Sequence, residues 1–277
     1  MSAECLILQK KNCMKICLII TTYNWPQALE LSLKSVIRQS RQPDEVIIAD
    51  DGSRDETRQL IDSYKTKINN LRHVWHEDNG YQRAKIVNLA ISSSEADFII
   101  TTDQDCILHK DFVLDYSLQA EHGCYISGYR INLRKELTSK ILEQKRLPNM
   151  FELLTQTKWN LKHQQRIPSK WKKTTRYITT SSNGTYGCNM GFYKNDLIDI
   201  NGYNENFVGW GPEDSEMTQR LINNGKQWKR IYYSAILYHL YHPIICRANL
   251  DFNMNLLQLT IQEKRTVVSN GIKKLNS

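Results

Sequence analysis

Four short apolar runs, alternating with stretches of helical periodicity, decide most of what this chain can fold into. The runs are Lys15 to Ile20, Glu45 to Ala49, His73 to His76 and Asp97 to Thr101. The first and second are continuous rather than alternating, the pattern of strands buried on both faces. Pro26 sits at the first turn of a helix whose inward positions are Leu29, Leu33, Val36 and Ile37, and Pro43 and Asp44 end that stretch. Asp55 to Lys65 is a second helix with Thr57, Leu60, Ile61 and Tyr64 inward. Arg83 to Ser92 is a third, with Ile86, Leu89 and Ala90 inward, after the turn at Asn79-Gly80. A β-α-β-α-β-α-β series over about 90 residues predicts a parallel sheet with right-handed crossovers.

Ligands of such sheets bind at the carboxyl ends of the strands. The polar groups gather at those ends: Thr21 to Asn24, Asp50 and Asp51, Asn79 and Gly80, Asp103 and Asp105. In an extended segment residues i and i+2 point the same way, so Asp103 and Asp105 are expected to converge. Two hard anionic ligands at a strand end suit Mg²⁺ or Mn²⁺, ions that complete their coordination with substrate phosphates. A polar turn is the plainer reading of Asp-x-Asp. The region has no Gly-x-Gly-x-x-Gly and no Gly-Lys-Ser/Thr, so phosphate is not held by a glycine loop, which leaves a metal-bridged phosphate.

The second half carries a further strand, Cys124 to Leu133, and a small-residue stretch, Gly187 to Phe192, where backbone approaches a partner closely. A turn at Asn201 to Asn204 precedes Phe207 to Glu216, in which Pro212 and the acids Glu213, Asp214 and Glu216 mark a helix start. Acids there also serve simply to complement the helix dipole, but two glycines flanking Trp210 are not explained by capping. Ile231 to Leu237 reads as a strand, with His239 and His242 at its end as candidate metal ligands. Leu250 to Val268 is weakly amphipathic, a packing helix or partner contact.

At 277 residues the chain is one large domain or two closely packed ones. No apolar run reaches the roughly 20 residues of a membrane span. The apolar patch Cys5 to Leu8 is too short for a signal peptide, so a cytoplasmic location is expected. Seven cysteines without a Cys-x-x-Cys pair argue against a disulfide scaffold or zinc ribbon. The net charge of +8 is local: residues 134–176 hold twelve Lys/Arg against three acids, and the rest of the chain is close to neutral. Such a segment suits an anionic partner.

Together these residues resemble the inverting, nucleotide-sugar-dependent glycosyltransferases of family 2, with the GT-A fold, over roughly residues 15–243. The resemblance rests on Ile19 to Asn24, Asp50-Asp51-Gly52-Ser53, Asn79-Gly80 with Ala84 and Asn88, Thr102-Asp103-Gln104-Asp105, and the run from Asn201-Gly202-Tyr203 through Gly209-Trp210-Gly211-Pro212-Glu213-Asp214 to His242. That last run is similar to the C-terminal module of galactosyltransferases and chondroitin polymerases. The resemblance implies an α/β architecture: a Rossmann-like, mostly parallel central sheet flanked by helices, with an intimately packed acceptor half. It implies one continuous domain, divided into a flexible extension (1–14), a nucleotide-sugar half (15–110), an acceptor and catalytic half (111–245, with the basic insertion 134–176) and a helical tail (246–277).

It also implies roles. Tyr23 stacks on uracil, Asp51 with Asp50 beside it binds the base, and Thr21 lies in the same pocket. Asp103 faces the ribose or donor sugar. Asp105 binds Mn²⁺ or Mg²⁺ with His242 and His239. Asp214 is the catalytic base, and Trp210 and Glu213 bind the acceptor. Arg83 and Lys85 fall where relatives carry a basic residue near the nucleotide, in a local pattern that differs from the usual Ala-Arg-Asn. The implied donor is a UDP-sugar, and the acceptor a saccharide or lipid-linked saccharide of a surface polysaccharide. Three other readings compete: a nucleotide-sugar hydrolase, a non-catalytic sugar-binding relative, and a nucleic-acid-binding module built on the basic segment with Trp159, Trp171 and Tyr177. No nucleic acid is expected, because that module leaves the carboxylates unexplained. The basic segment, if it meets a lipid-linked acceptor, predicts peripheral association with the anionic inner face of the plasma membrane.

Overall fold

The structure, a computed structural model, describes residues 14–155, 166, 176–177, 186–243 and 247–275. Most of the expected N-terminal extension lies outside them, and Met14 packs against the core. Strand β1 (Ile16–Thr22) is buried along its whole length, as its unbroken apolar sequence requires. It pairs in parallel with β2 (Glu45–Asp50) on one side and β4 (Phe98–Asp103) on the other, and β3 (Leu71–Trp75) extends the parallel run beyond β2.

The connecting helices α1 (Pro26–Ile37), α2 (Asp55–Tyr64) and α3 (Arg83–Ser93) cover both faces. Ile16, Leu18 and Ile20 meet Leu29 and Leu33 of α1 and Ile61 of α2, whereas Cys17 and Ile19 meet Ala84, Val87 and Ile91 of α3. Two expected inward residues point out: Ile37 is 40% exposed and Leu89 is 42% exposed. Ile37 is the last residue of α1. Leu89 lies one turn from Lys85 on the outward stripe of α3, because the buried face is carried by Ile86, Val87, Ala90 and Ile91.

Among the described residues the main sheet has eight strands, in the order β3-β2-β1-β4-β9-β6-β10-β8. The added strands are β6 (Cys124–Ser127), β8 (Arg176–Tyr177), β9 (Met190–Tyr193) and β10 (Gln227–Arg230). β9 runs antiparallel between β4 and β6 and so joins the two halves in one sheet. A second sheet of three strands places β11 (Ile236–His239) between β5 (Cys106–Leu108) and β7 (Tyr129–Asn132).

Two expected strands are corrected. Cys124 to Leu133 breaks at Gly128, where a side chain would strike the Ala235 carbonyl and the Asn189 amide, so β6 and β7 enter different sheets. Ile231 to Leu237 is not one strand, since Tyr233 and Ala235 take positive φ values of 58° and 46° and turn the chain between β10 and β11. The remaining helices are α4 (Phe112–Gln119), α5 (Lys135–Glu143), α6 (Met150–Thr155), α7 (Lys194–Asp199), α8 (Glu213–Asn223) and α9 (Leu250–Gln262).

Within the described part of the basic segment, several cations are engaged internally. Lys140 and Arg146 bind Glu152 at 2.9 and 2.7 Å, and Arg166 binds Asp115 at 2.6 Å and Asp111 at 3.1 Å. Trp159, Lys170, Trp171, Lys172 and Lys173 of the same segment, which the membrane expectation rests on, lie outside the described residues. Among the described residues, no helix is long and apolar enough to cross a membrane. Cys17, Cys106, Cys124 and Cys188 are free and buried.

Candidate active site

The parallel register brings the carboxyl ends of β1, β2 and β4 level. Thr21 lies opposite Asp103, and its hydroxyl donates to Asp103 Oδ1 at 2.6 Å. Asp50 is turned to structural duty: its Oδ1 accepts the Ser53 N–H at 2.8 Å and its Oδ2 bonds His73 Nε2 at 2.8 Å. Asp51 Oδ1 bonds His76 Nε2 at 2.7 Å, and its Oδ2 accepts the Gln82 N–H at 2.9 Å. Burial pushes the Asp51 carboxyl above its ordinary value, against those two bonds. The Tyr23 ring is 45% exposed and held in place: Gln104 bonds its N–H and C=O at 3.2 and 3.1 Å, and its hydroxyl donates to Asp78 at 2.9 Å. A flat aromatic face presented beside a buried carboxylate suits a nucleobase.

Asp103 and Asp105 take different partners. β4 ends at Asp103 and a turn follows at Gln104-Asp105, so the extended geometry that would align i and i+2 is lost. Asp105 instead joins the second sheet's end. His239 is the last residue of β11 and pairs with Cys106 of β5, and both His239 Nε2 and His242 Nε2 come within 3.2 Å of Asp105 Oδ2. The three groups offer ligand atoms all within 4.8 Å of one another.

This set fits a divalent cation. Pro243 offers only a carbonyl to His242 Nδ1, at 2.7 Å, so Nδ1 carries the proton and Nε2 turns its lone pair inward. Burial lowers the His239 pKa, and Asp105 only partly opposes this. Burial would raise Asp105, but the His242 bond and the fields of His239, His242 and Arg130 hold it below the ordinary range. The bond to Asp105 raises His242.

A second cluster forms around Arg83, at the start of α3. Its Nη1 donates to Asp214 Oδ1 at 2.9 Å and lies 3.8 Å from Glu213 Oε1, while Nη2 donates to Asp103 Oδ1 at 3.3 Å. Burial works against the charge of Arg83, and Asp214 and Asp103 more than offset it. Glu213 is 4% exposed, with Oε2 unpartnered. Burial first, and then Asp214, push its carboxyl up to about 8, so at neutral pH it is largely protonated. The Asp214 side chain is 20% exposed, open enough to meet a substrate hydroxyl. Lys85, grouped with Arg83 in the sequence reading, lies on the exposed face of α3, away from this cluster.

Trp210 is half-buried, with the Arg247 guanidinium 4.5 Å over its ring. Its loop is pinned by α9, since Asn253 donates to the carbonyls of Val208 and Trp210 at 3.1 Å each. The helix read from sequence as a packing element thus shapes the Trp210 loop. Sequence reasoning gave no role to Gly187, although it marked the small-residue stretch. The space a Cβ would take at Gly187 is filled by the Asp214 carboxylate, and Thr101 anchors the Gly187 carbonyl at 2.9 Å.

The model of glycosyl transferase family 2 matches residues 17–198, and a second model, described as the N-terminal domain of galactosyltransferase, matches residues 171–243. Chondroitin synthase of Escherichia coli is 28% identical over 239 residues, which cover 82% of this chain and 34% of that protein. This chain spans about a third or less of the length of the curated synthases it matches. Among solved structures, Staphylococcus aureus TarS in complex with UDP superposes with a TM-score of 0.64 at 17% identity, covering 91% of this chain and 65% of that one. The mannosyltransferase PcManGT from Pyrobaculum calidifontis, in complex with GDP-Man and Mn²⁺, gives a TM-score of 0.56 at 15% identity, covering 82% of this chain and 56% of that one. These likenesses agree with the mixed sheet in showing a GT-A fold. The chain belongs to glycosyl transferase family 2.

Proposed function

We propose that the chain is a metal-dependent, inverting glycosyltransferase that moves a hexose or N-acetylhexosamine from a UDP-sugar to a saccharide hydroxyl in surface-polysaccharide synthesis. The observation that carries this reading is the bridge made by Arg83, which holds Asp103 and the partly exposed carboxylate of Asp214 on one guanidinium. In this reading the base stands one side chain from the donor pocket. The solved relatives that hold UDP, or GDP-Man with Mn²⁺, support a nucleotide-sugar donor and a divalent ion.

In this reading Tyr23 stacks on uracil and Asp51 accepts its imide N–H. Asp105, His239 and His242 would hold Mn²⁺ or Mg²⁺. The bound ion supplies charge neutralisation for the departing diphosphate. Trp210 offers its ring to the acceptor sugar. Asp214 takes the proton of the acceptor hydroxyl as that oxygen bonds to the anomeric carbon. The bond from that carbon to the β-phosphate oxygen breaks on the opposite face, its electron pair leaving with UDP. One displacement inverts the centre, so an α-linked donor yields a β-linked product.

The test is incubation with a panel of UDP-sugars and saccharide acceptors, with and without Mn²⁺, beside the Asp214→Asn variant. Transfer by the parent is expected to need both metal and acceptor, and the variant to lose roughly 10²–10⁴-fold while keeping UDP affinity. Metal-independent transfer would overturn the cofactor assignment, and a variant within about threefold of the parent would remove Asp214 from the role of base.

A further inference from the structure

Helix α3 of the donor half builds the seat of Asp214 twice over. Its first residue, Arg83, reaches Asp214 directly at 2.9 Å. Five residues on, Asn88 grips the backbone of Tyr203: its Nδ2 donates to the Tyr203 carbonyl at 2.8 Å, and its Oδ1 accepts the Tyr203 N–H at 2.7 Å. Gly202, at a φ of +70°, lets the chain pass so close to Asn88 Oδ1 that no side chain fits there. Tyr203 is fully buried, and its hydroxyl donates to Asp214 Oδ1 at 3.1 Å. Burial holds the phenol protonated, so toward the carboxylate it is a donor only.

Two donors from two directions, Arg83 and Tyr203, therefore land on the same oxygen of Asp214. The other oxygen, Oδ2, lies over the gap left by the missing side chain of Gly187. A carboxylate without such partners would turn about its Cβ–Cγ bond and present either oxygen.

We propose that Tyr203, seated by Asn88 and acting with Arg83, is a positioning residue of the transfer step, which occupies Oδ1 of Asp214 and leaves Oδ2 as the atom that takes the acceptor proton. This rests on the reading of Asp214 as the base. It also gives Arg83 a second duty, beyond the nucleotide contact expected from sequence. The helix that packs under the donor sheet aims the base at the acceptor, so the two substrates' machinery shares one rigid element.

The variant that tests it is Tyr203→Phe, which keeps the ring and removes the hydroxyl. It is measured as the full chain with saturating Mn²⁺, beside Asp214→Asn. Misplacement of a reacting group by about 1 Å costs on the order of 10²-fold, so kcat is expected to fall roughly ten- to a hundredfold. The KM for the donor and the calorimetric affinity for UDP with Mn²⁺ are expected to stay within about twofold of the parent, because nothing in the donor pocket is removed. A parental kcat would overturn the proposal and leave Tyr203 as packing. A parallel loss of UDP affinity would also overturn it, placing the hydroxyl in support of the donor pocket. Asn88→Ala is the second variant: it keeps the hydroxyl and frees its backbone, and the same kcat-selective loss is expected. An active Asp214→Asn protein would sink the base assignment itself, whereas an inactive one beside a fully active Tyr203→Phe protein would sink only the positioning role.

Discussion

His239 stands opposite Cys106 across the antiparallel β5–β11 pair, and that register carries its Nε2 to 3.2 Å from the carboxylate of Asp105. The candidate metal set is thus assembled between the turn after β4 and the end of β11, more than 130 positions apart in the chain.

Removing one ligand atom should therefore be felt in nucleotide binding. His242→Ala is expected to weaken Mn²⁺-dependent UDP binding by more than the roughly 10–100-fold that outer partners of a metal command. Titration calorimetry on protein first stripped with a chelator measures it. Metal ligands must be deprotonated, and Asp105 raises the pKa of His242, so the parent's metal-supported affinity should decline as pH falls below neutrality. An affinity unchanged by His242→Ala would exclude that residue from the set.

Gly187→Ala should impair transfer with little effect on the donor. The new methyl would occupy the place of the Asp214 carboxylate and force it off its seat. Displacing a reacting group in this way is expected to cost on the order of 10²-fold in kcat. Steady-state kinetics at saturating donor report it, and a crystal structure of the variant should show Asp214 rotated.

Glu213 predicts a pH-dependent stability. Its carboxyl is raised from 4.5 to about 8 in the folded protein, so between those values the native state holds a proton that the unfolded chain has released. Stability then falls as pH rises through this window, since folding above it must bury a charge. Glu213→Gln removes the effect. Thermal melts of parent and variant should run together near pH 4.5 and separate toward pH 9, with the variant gaining on the parent. Parallel curves across the range would contradict the raised value.

Arg220 and Glu216 form a fully buried ion pair within α8, at 2.9 Å. Arg220 also donates to the Ile200 carbonyl at 2.7 Å, and Thr260 of α9 donates to Glu216 at 2.9 Å. Arg220→Met leaves Glu216 buried without its cation, a change that costs about 3–5 kcal/mol. Urea unfolding is expected to show a loss of that order with an unchanged slope. Because the pair ties α9 to α8, proteolysis near residues 247–262 should also accelerate.

The sequence by itself determined the four parallel strands, the three crossover helices and the gathering of polar groups at the strand ends. The reason is local: apolar runs and helical spacing are properties of neighbouring residues, and the sheet rule turns them into a site. The motifs from Thr21 to His242 likewise carried the family, which the match over residues 17–198 shows. Only the tertiary structure decided which side chain meets which. Asp103 and Asp105 read alike as i and i+2, yet the turn at Gln104-Asp105 sends one to Thr21 and Arg83 and the other to two histidines. Arg83 and Lys85 read together as basic residues near the nucleotide, yet packing of α3 buries the first among carboxylates and leaves the second in water. Tyr203 looked like part of a turn, and its hydroxyl reaches Asp214 while Asn88, over a hundred residues earlier, holds its backbone. Hydrogen-bond partners that distant depend on how whole elements dock, and no periodicity within one segment encodes that.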